Sequence, residues 1–80
     1  MSNIYSDDYV EIITRLRSTR IKKGITQETL ASRLNTSQSI VSKVENCERK
    51  LDIIEFFEWS KALEVPWRTL LPPQYLKDQE

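Results

Sequence analysis

The sequence predicts an all-α protein with five helices, two of which form a helix-turn-helix. Residues 26–46 contain two short runs with apolar side chains at helical spacing, joined by a polar turn at 35–37. Thr26 and Ser37 stand just before these runs, where a hydroxyl can accept a hydrogen bond from a free amide of the first turn. Two helix starts this close together predict that helices 2 and 3 form a helix-turn-helix.

Helix 1 is predicted at about residues 7–23, with Asp8 and Glu11 as a cap pair at its start and Gly24 ending it. Its apolar side chains recur at helical spacing, so one side of the helix should face the core. The inward positions are Tyr9, Ile12, Ile13 and Leu16.

An ion pair between helices 1 and 3 is predicted from two charges in apolar positions. Four residues after Leu16, where another apolar side chain would be expected, helix 1 carries Arg20. Helix 3 likewise carries Glu45 four residues after Val41. We expect Arg20 and Glu45 to form a partly buried pair that fixes the two helices, with an architectural role and no catalytic one.

Helix 4 is predicted at about residues 53–63, where Asp52 and Glu55 can form a capping box at its start. A short helix 5 is predicted to open at Pro66 and to stop at the prolines 72–73. The core side of helix 4 is expected to carry Ile53, Phe56, Trp59, Ser60 and Leu63.

Helices 4 and 5 carry more apolar surface than one small core can use. Ile54 and Phe57 lie beyond the inward arc of helix 4, and Trp67 and Leu71 follow in helix 5. We expect these four residues to anchor an isologous homodimer. The alternative is that the aromatic rings, Trp67 in particular, only complete the core.

The composition predicts a small non-enzymatic protein. Eighty residues suit one domain, 1–80, with a core at about 7–71 and a short tail at 72–80. Histidine is absent, and only one glycine and one cysteine are present, so neither an activated nucleophile nor a phosphate-binding glycine loop is expected. No metal and no cofactor is expected. With no long apolar run, no secretory signal and no disulfide, we expect a cytoplasmic protein.

The net charge is zero, but the charges are unevenly distributed. Residues 1–14 carry a net charge of −3, and residues 51–80 also carry −3. Residues 15–50 hold nine basic and three acidic residues, a net charge of +6. This pattern predicts basic central helices that face phosphates. The alternative is an uneven surface charge without a function.

The outer face of helix 3 carries a polar stripe with no large apolar residue. Gln38 can offer a donor and an acceptor to an adenine edge, Lys43 can donate to guanine, and Ser39 can do either. We therefore predict that these three read bases in duplex DNA. The alternative is an ordinary solvated face. Phosphate contacts are expected from Gln27, Ser42 and Asn46, aided by the positive N-terminal ends of the two helices.

Residues at many further positions fall in register with one known family. They are Arg20, Gly24, 26–28 (TQE), 30–31 (LA), 38–39 (QS), 41–42 (VS), 44–46 (VEN), Arg49 and 61–65 (KALEV). Through them the chain resembles the XRE family of lambdoid phage repressors and Cro proteins from about residue 12 to 71. The resemblance implies a compact five-helix, lambda-repressor-like domain. It also implies base reading by Gln38, Ser39 and Lys43, and phosphate contacts from Gln27, Ser37, Ser42, Asn46, Arg49 and Lys50.

Two residues depart from the family pattern. Cys47 stands where the family usually has a glycine in the left-handed conformation, at a cost of about 1 kcal/mol. Leu51 replaces a common proline, which leaves the loop at 48–51 less rigid.

The expected function is a sequence-specific transcription regulator that binds a pseudo-palindromic operator as a homodimer, because two half-sites select a site better than one. It is similar to small restriction-modification controller proteins. The alternative is an antitoxin-type module that masks a partner toxin. No membrane and no small-molecule ligand is expected. Two points stay open: Ile40 either packs inside or meets a thymine methyl group, and residues 1–6, with Ile4 and Tyr5, either form a loose arm or cover the dimer seam.

Overall fold

A computed structural model describes residues 6–77 of the chain, so the questions about Ile4 and Tyr5 lie outside the described residues. Within this range the protein has no strand, which confirms the all-α fold class. The α-helices among these residues are α1 (Asp7–Lys22), α2 (Gln27–Arg33), α3 (Gln38–Glu45) and α4 (Ile53–Ala62).

The predicted fifth α-helix is instead a single 3₁₀ turn, Trp67–Leu70. The reason is that Pro72 disfavours helical backbone at Leu71, which is extended with φ −96° and ψ 146°. A second 3₁₀ turn, Pro73–Tyr75, follows where the prolines were expected only to stop the helix. The described residues therefore contain four α-helices, and the predicted number of five was wrong.

Side-chain caps start all four helices. Thr26 accepts from the amide of Thr29 at 3.0 Å, and Ser37 accepts from the amide of Ile40 at 3.2 Å, which confirms both predicted caps. The capping box at the start of α4 is also confirmed, since Glu55 N donates to Asp52 at 2.7 Å and Asp52 N donates back at 3.0 Å.

The predicted cap pair of α1 was wrong. Ser6 is the N-cap and accepts from the amide of Tyr9 at 3.1 Å. Glu11 instead forms a salt bridge with the residue four positions later in α1. Asp8 accepts hydrogen bonds from two residues near the C-terminal end, Gln74 and Tyr75. The hydrogen bond from Tyr75 to Asp8 and the negative charge of Asp8 raise the pKa of the Tyr75 hydroxyl.

Each of the four helices ends in a Schellman motif, with the second residue beyond the helix cap donating back to the last turn. These bonds include Ile25 N to Arg20 O at 3.0 Å and Glu48 N to Lys43 O at 2.8 Å. The motif needs one left-handed residue, and only α1 provides a glycine there, as predicted. The left-handed residues are Gly24, Asn35, Cys47 and Glu64, with φ between 57° and 72°.

Replacing Glu64 with glycine is expected to raise the free energy of unfolding by about 0.5–1 kcal/mol, because glycine relieves the left-handed strain. Glu64 is exposed, and its backbone rather than its side chain makes the capping bonds. Chemical denaturation would measure the change. Glu58→Gly is the matched control, since it removes the same charge from an exposed position inside α4 and should lower stability by about 1 kcal/mol. Equal losses from both substitutions would contradict the prediction.

The core lies where α1, α2, α3 and α4 meet, closed by the first 3₁₀ turn. One predicted core residue was wrong: Ile53, in the first turn of α4, is 64% exposed. It lies at the helix edge, beside a shallow groove lined by Tyr9 and Ile12. The buried apolar residues are Ile13, Leu16, Leu30, Ala31, Val41, Val44, Phe56, Trp59, Leu63 and Leu70.

Two basic side chains from other helices hold the C-terminal end of α4. Lys23 Nζ donates to the carbonyls of Leu63 at 2.8 Å and Glu64 at 3.1 Å. Arg33 Nη1 donates to the carbonyl of Ala62 at 2.7 Å. Both contacts place positive charge at the negative end of the helix dipole and tie α1 and α2 to α4.

Candidate nucleic-acid interface

The outer face of α3 presents the predicted base-reading residues together. Gln38, Ser39 and Lys43 are all exposed, while Val41 and Val44 on the opposite side are fully buried. Because α3 begins directly after the cap at Ser37, its first turn carries Gln38 and Ser39 at the open end of the helix. The stripe is therefore available to a ligand along the length of α3.

Ile40 is partly buried and packs against the core. Its side chain lies between the buried side of α3 and the exposed stripe, so the core accounts for its packing.

Arg20 and Glu45 form a buried, bidentate pair between α1 and α3. Arg20 Nε donates to Glu45 Oε2 at 2.6 Å, and Arg20 Nη2 donates to Oε1 at 3.0 Å. The third guanidinium nitrogen, Nη1, donates to the carbonyl of Ile25 at 2.8 Å. Arg20 and Glu45 are only 8% and 7% exposed. The pair fixes the start of α2 as well as α1 and α3, because Ile25 immediately precedes the α2 cap.

A chain of side-chain hydrogen bonds leads from this buried pair to the surface of α3. Gln27 Nε2 donates to Glu45 Oε1 at 2.9 Å, and Gln38 Nε2 donates to Gln27 Oε1 at 2.6 Å. We call Glu45, Gln27 and Gln38 the glutamine chain. The contact between the two glutamines was not predicted from the sequence, although each directly follows an N-cap residue. Its effect is to orient the amide of Gln38.

The glutamine chain leaves Gln38 with the groups that an adenine edge requires. A side-chain amide has two N–H donors and one acceptor oxygen. One donor of Gln38 is used by Gln27, so one N–H and the carbonyl oxygen remain. Adenine presents one acceptor and one donor in the major groove, and a glutamine can satisfy both.

The predicted phosphate-contacting residues around this stripe differ in how exposed their side chains are. Ser42 is half-buried, whereas Ser37, Asn46 and Lys50 are exposed. The hydroxyl oxygen of Ser37 accepts the capping bond, which leaves its O–H as a donor. Asn46 is the C-cap residue of α3, at the end of the stripe opposite Gln38.

Arg49 is held by an acidic residue of α4. Its Nη2 donates to Glu55 Oε2 at 3.2 Å, and its Nη1 donates to the carbonyl of Lys50 at 3.3 Å. Glu55 therefore serves both the capping box and Arg49. The side chain of Arg49 remains 39% exposed, so part of the guanidinium is accessible from outside.

Cys47, in the left-handed conformation with φ 59°, turns the chain at the end of α3 toward Arg49. Partial burial raises the pKa of its thiol. Cys47 packs against the core, so its side chain contributes apolar contacts that a glycine would lack.

Comparison with known proteins shows where the fold recurs. A helix-turn-helix family model matches residues 16–70. The chain belongs to the XRE family of helix-turn-helix DNA-binding proteins. An XRE-family-like protein from Pseudomonas syringae pv. tomato is 41% identical, covering 79% of this chain and 77% of that one, with a TM-score of 0.75.

Two restriction-modification controller proteins share the fold of this XRE-family chain. C.AhdI from Aeromonas hydrophila is 33% identical, covering 82% of this chain and all of that one, with a TM-score of 0.74. C.Esp1396I is 28% identical, covering 94% of this chain and all of that one, with a TM-score of 0.77. No curated protein sequence matched the chain significantly.

Away from the outer face of α3, this XRE-family protein exposes an apolar surface on α4 and the 3₁₀ turn that follows it. Ile54, Phe57 and Trp67 are 63%, 41% and 39% exposed and line one shallow groove. The rings of Phe57 and Trp67 meet edge to face, with centroids 5.8 Å apart. Leu71 was predicted to join this surface, but it packs against the core and lines a different groove with Tyr9. We call Ile54, Phe57 and Trp67 the α4 apolar surface.

Among residues 6–77, no helix has the length and apolar character needed to cross a membrane. The same residues hold no group of three or more histidine, cysteine, aspartate or glutamate side chains placed to bind a metal ion.

Proposed function

We propose that the protein is a sequence-specific transcription regulator that binds a pseudo-palindromic DNA operator as a homodimer. The observation that carries this proposal is the exposed stripe of Gln38, Ser39 and Lys43 on α3, with Gln38 oriented by the glutamine chain. Membership of the XRE family supports DNA as the ligand. The likeness to two restriction-modification controller proteins supports a regulatory role.

In the proposed complex α3 lies in the major groove, and each exposed residue has its own partner. Gln38 pairs with an adenine through its remaining N–H and its carbonyl oxygen. Lys43, one turn further along α3, donates to the acceptors of a guanine. Ser39 lies beside Gln38 and can donate or accept. One helix with three base-reading residues would read only a few base pairs.

Phosphates on either side of the groove would hold α3 in register. We assign this role to polar residues, exposed or half-buried, that flank the stripe or begin α2. They are Gln27, Ser37, Ser42, Asn46, Arg49 and Lys50.

A dimer would double the number of base pairs that are read. Two half-sites about one helical turn (roughly 34 Å) apart match a two-fold symmetric protein. The α4 apolar surface supports this proposal because its three side chains are exposed and adjacent, on an element that does not belong to the helix-turn-helix. An isologous contact uses the same patch on both protomers, so these side chains would pack against their own copies.

Selection of bound duplexes from a random pool tests the proposed function directly. We expect one enriched motif with two inverted half-sites, and their separation should equal about one helical turn. Enrichment of no motif at low salt would reject the proposal. Co-purification with a neighbouring toxin in the absence of any selected motif would favour the antitoxin-type alternative.

Substitutions on α3 should change specificity, whereas Arg49→Ala should not. Gln38→Ala and Lys43→Ala are each expected to cost about 1–3 kcal/mol of binding to the selected site and to relax the preference at one base pair per half-site. Arg49→Ala is the contrast, because loss of a phosphate contact weakens binding to all sequences alike. Fluorescence anisotropy with single-base variants of the site would measure both. A uniform loss in Lys43→Ala would move Lys43 to the phosphate-binding residues.

A further inference from the structure

Arg17 lies against the glutamine chain from the side of α1. Its Nε is 3.9 Å from Glu45 Oε1, the same oxygen that accepts from Gln27 at 2.9 Å and from Arg20 at 3.0 Å. The side chain of Arg17 is 56% exposed, whereas that of Glu45 is 1% exposed. Arg17 therefore reaches from the surface toward the acceptor that holds Gln27 in place.

The contact with Glu45 does not account for Arg17. Glu45 is already neutralised by Arg20, which donates to both of its carboxylate oxygens, and Oε1 also accepts from Gln27. The ion pair at 3.9 Å contributes little to stability, because the Arg17 side chain is 56% exposed and water screens its charge. Within residues 6–77, Glu45 is the only acidic side chain that the structure places at ion-pair distance from Arg17. Its planar guanidinium thus retains most of its donors.

The position of Arg17 next to Gln27 places a surplus positive charge at the edge of the base-reading face. Arg20 and Glu45 cancel each other, so Arg17 determines the sign of the charge there. Guanidinium groups suit phosphate because two parallel N–H donors can bind two of its oxygens. In the proposed complex the DNA backbone passes the start of α2, where Gln27 and Arg17 both approach Glu45 Oε1.

We propose that Arg17 binds a DNA phosphate beside the base read by Gln38. The inference rests on the proposed function, since it assumes that α3 enters the major groove. It adds α1 to the DNA-binding surface. The role of Arg17 is sequence-independent, because phosphates carry no base information.

Arg15 provides a matched control on the same helix. Arg15 and Arg17 are two residues apart on an α-helix and therefore about 200° apart around its axis, so Arg15 faces away from Arg17. Its Nη2 forms a salt bridge with Glu11 at 2.8 Å, and its Nη1 contacts the carbonyl of Thr69 at 3.5 Å. Arg15→Gln and Arg17→Gln change the net charge equally, so a difference between them reports position rather than total charge.

The test measures binding of wild type, Arg17→Gln, Arg17→Lys and Arg15→Gln to the selected duplex and to a random duplex over a series of salt concentrations. Arg17→Gln should weaken binding to both duplexes by about tenfold and reduce the salt slope by about 1 for each protomer bound. Arg17→Lys should recover part of the loss, because it keeps the charge without the paired donors. Arg15→Gln should behave like wild type.

Each other result has a definite meaning. Equal affinity and salt slope for Arg17→Gln and Arg15→Gln would overturn the inference about Arg17. A loss confined to the selected duplex would also overturn it, because a phosphate contact cannot discriminate sequences. A large drop in melting temperature for Arg17→Gln would show a structural role instead. If wild type itself fails to prefer the selected duplex, the proposed function is what fails.

Discussion

Replacing Glu45 with alanine is expected to lower the free energy of unfolding by about 3–5 kcal/mol. The change would leave the guanidinium of Arg20, which is 8% exposed, without the carboxylate that accepts two of its hydrogen bonds. It would also remove the acceptor of Gln27. Urea denaturation followed by circular dichroism would measure the loss. A small domain has little stability to spare, so this one substitution can leave much of the protein unfolded.

Two further variants separate burial of charge from loss of packing. Glu45→Gln keeps an oxygen for Gln27 but removes the negative charge, and it should fall between wild type and Glu45→Ala. The double variant Arg20→Met, Glu45→Leu removes both charges, so its cost should be smaller than the sum of the single costs. A Glu45→Ala protein within about 1 kcal/mol of wild type would show that Arg20 finds water or another partner easily.

Replacing Phe57 with aspartate is expected to convert a dimer into a monomer and to weaken binding to the two-half-site operator by about 100-fold or more. Phe57 is central to the α4 apolar surface and contacts the ring of Trp67. A carboxylate buried in an apolar contact without a partner is strongly unfavourable. Because Phe57 is 41% exposed in the isolated chain, the monomer fold should tolerate the substitution.

Light scattering coupled to size-exclusion chromatography would report the mass, and anisotropy would report operator binding. Ile21→Asp is the control, since Ile21 is a 52% exposed apolar residue on α1, outside the α4 apolar surface. We expect it to leave the mass unchanged. A monomeric wild type, or a dimeric Phe57→Asp protein, would contradict the proposed dimer surface.

Local signals in the sequence predicted the helix starts well. A hydroxyl or carboxylate just before an apolar repeat marks a position where free amides need acceptors, and Thr26, Ser37 and Asp52 all satisfy that need. The helix ends were harder to predict. Cys47 and Glu64 adopt left-handed backbone against the preference of residues with a Cβ atom, whereas Asn35 is of a type that tolerates it. The family pattern indicated this conformation at Cys47, but no local signal marked Glu64.

The charge pattern predicted a basic middle of the chain but not which charges remain available. Lys23 and Arg33 donate to carbonyls at the end of α4, and Arg15 and Arg49 pair with acidic residues. The contacts of Lys23 and Arg33 join residues 40 and 29 positions apart in the chain, and the net charge of each segment contains no information about such contacts. The same limit hid the contact between Gln27 and Gln38, which depends on how α2 packs against α3.

The glutamine chain constrains how a regulator of this kind can diverge. Ser39 and Lys43 are exposed, so in the proposed complex a mutation at either position can alter the recognised bases while the fold stays intact. Gln38 shares a hydrogen bond with Gln27, whose other partner is buried Glu45. Descendants that adopt new target sites should therefore accumulate changes at positions 39 and 43 first, and position 38 should change together with position 27.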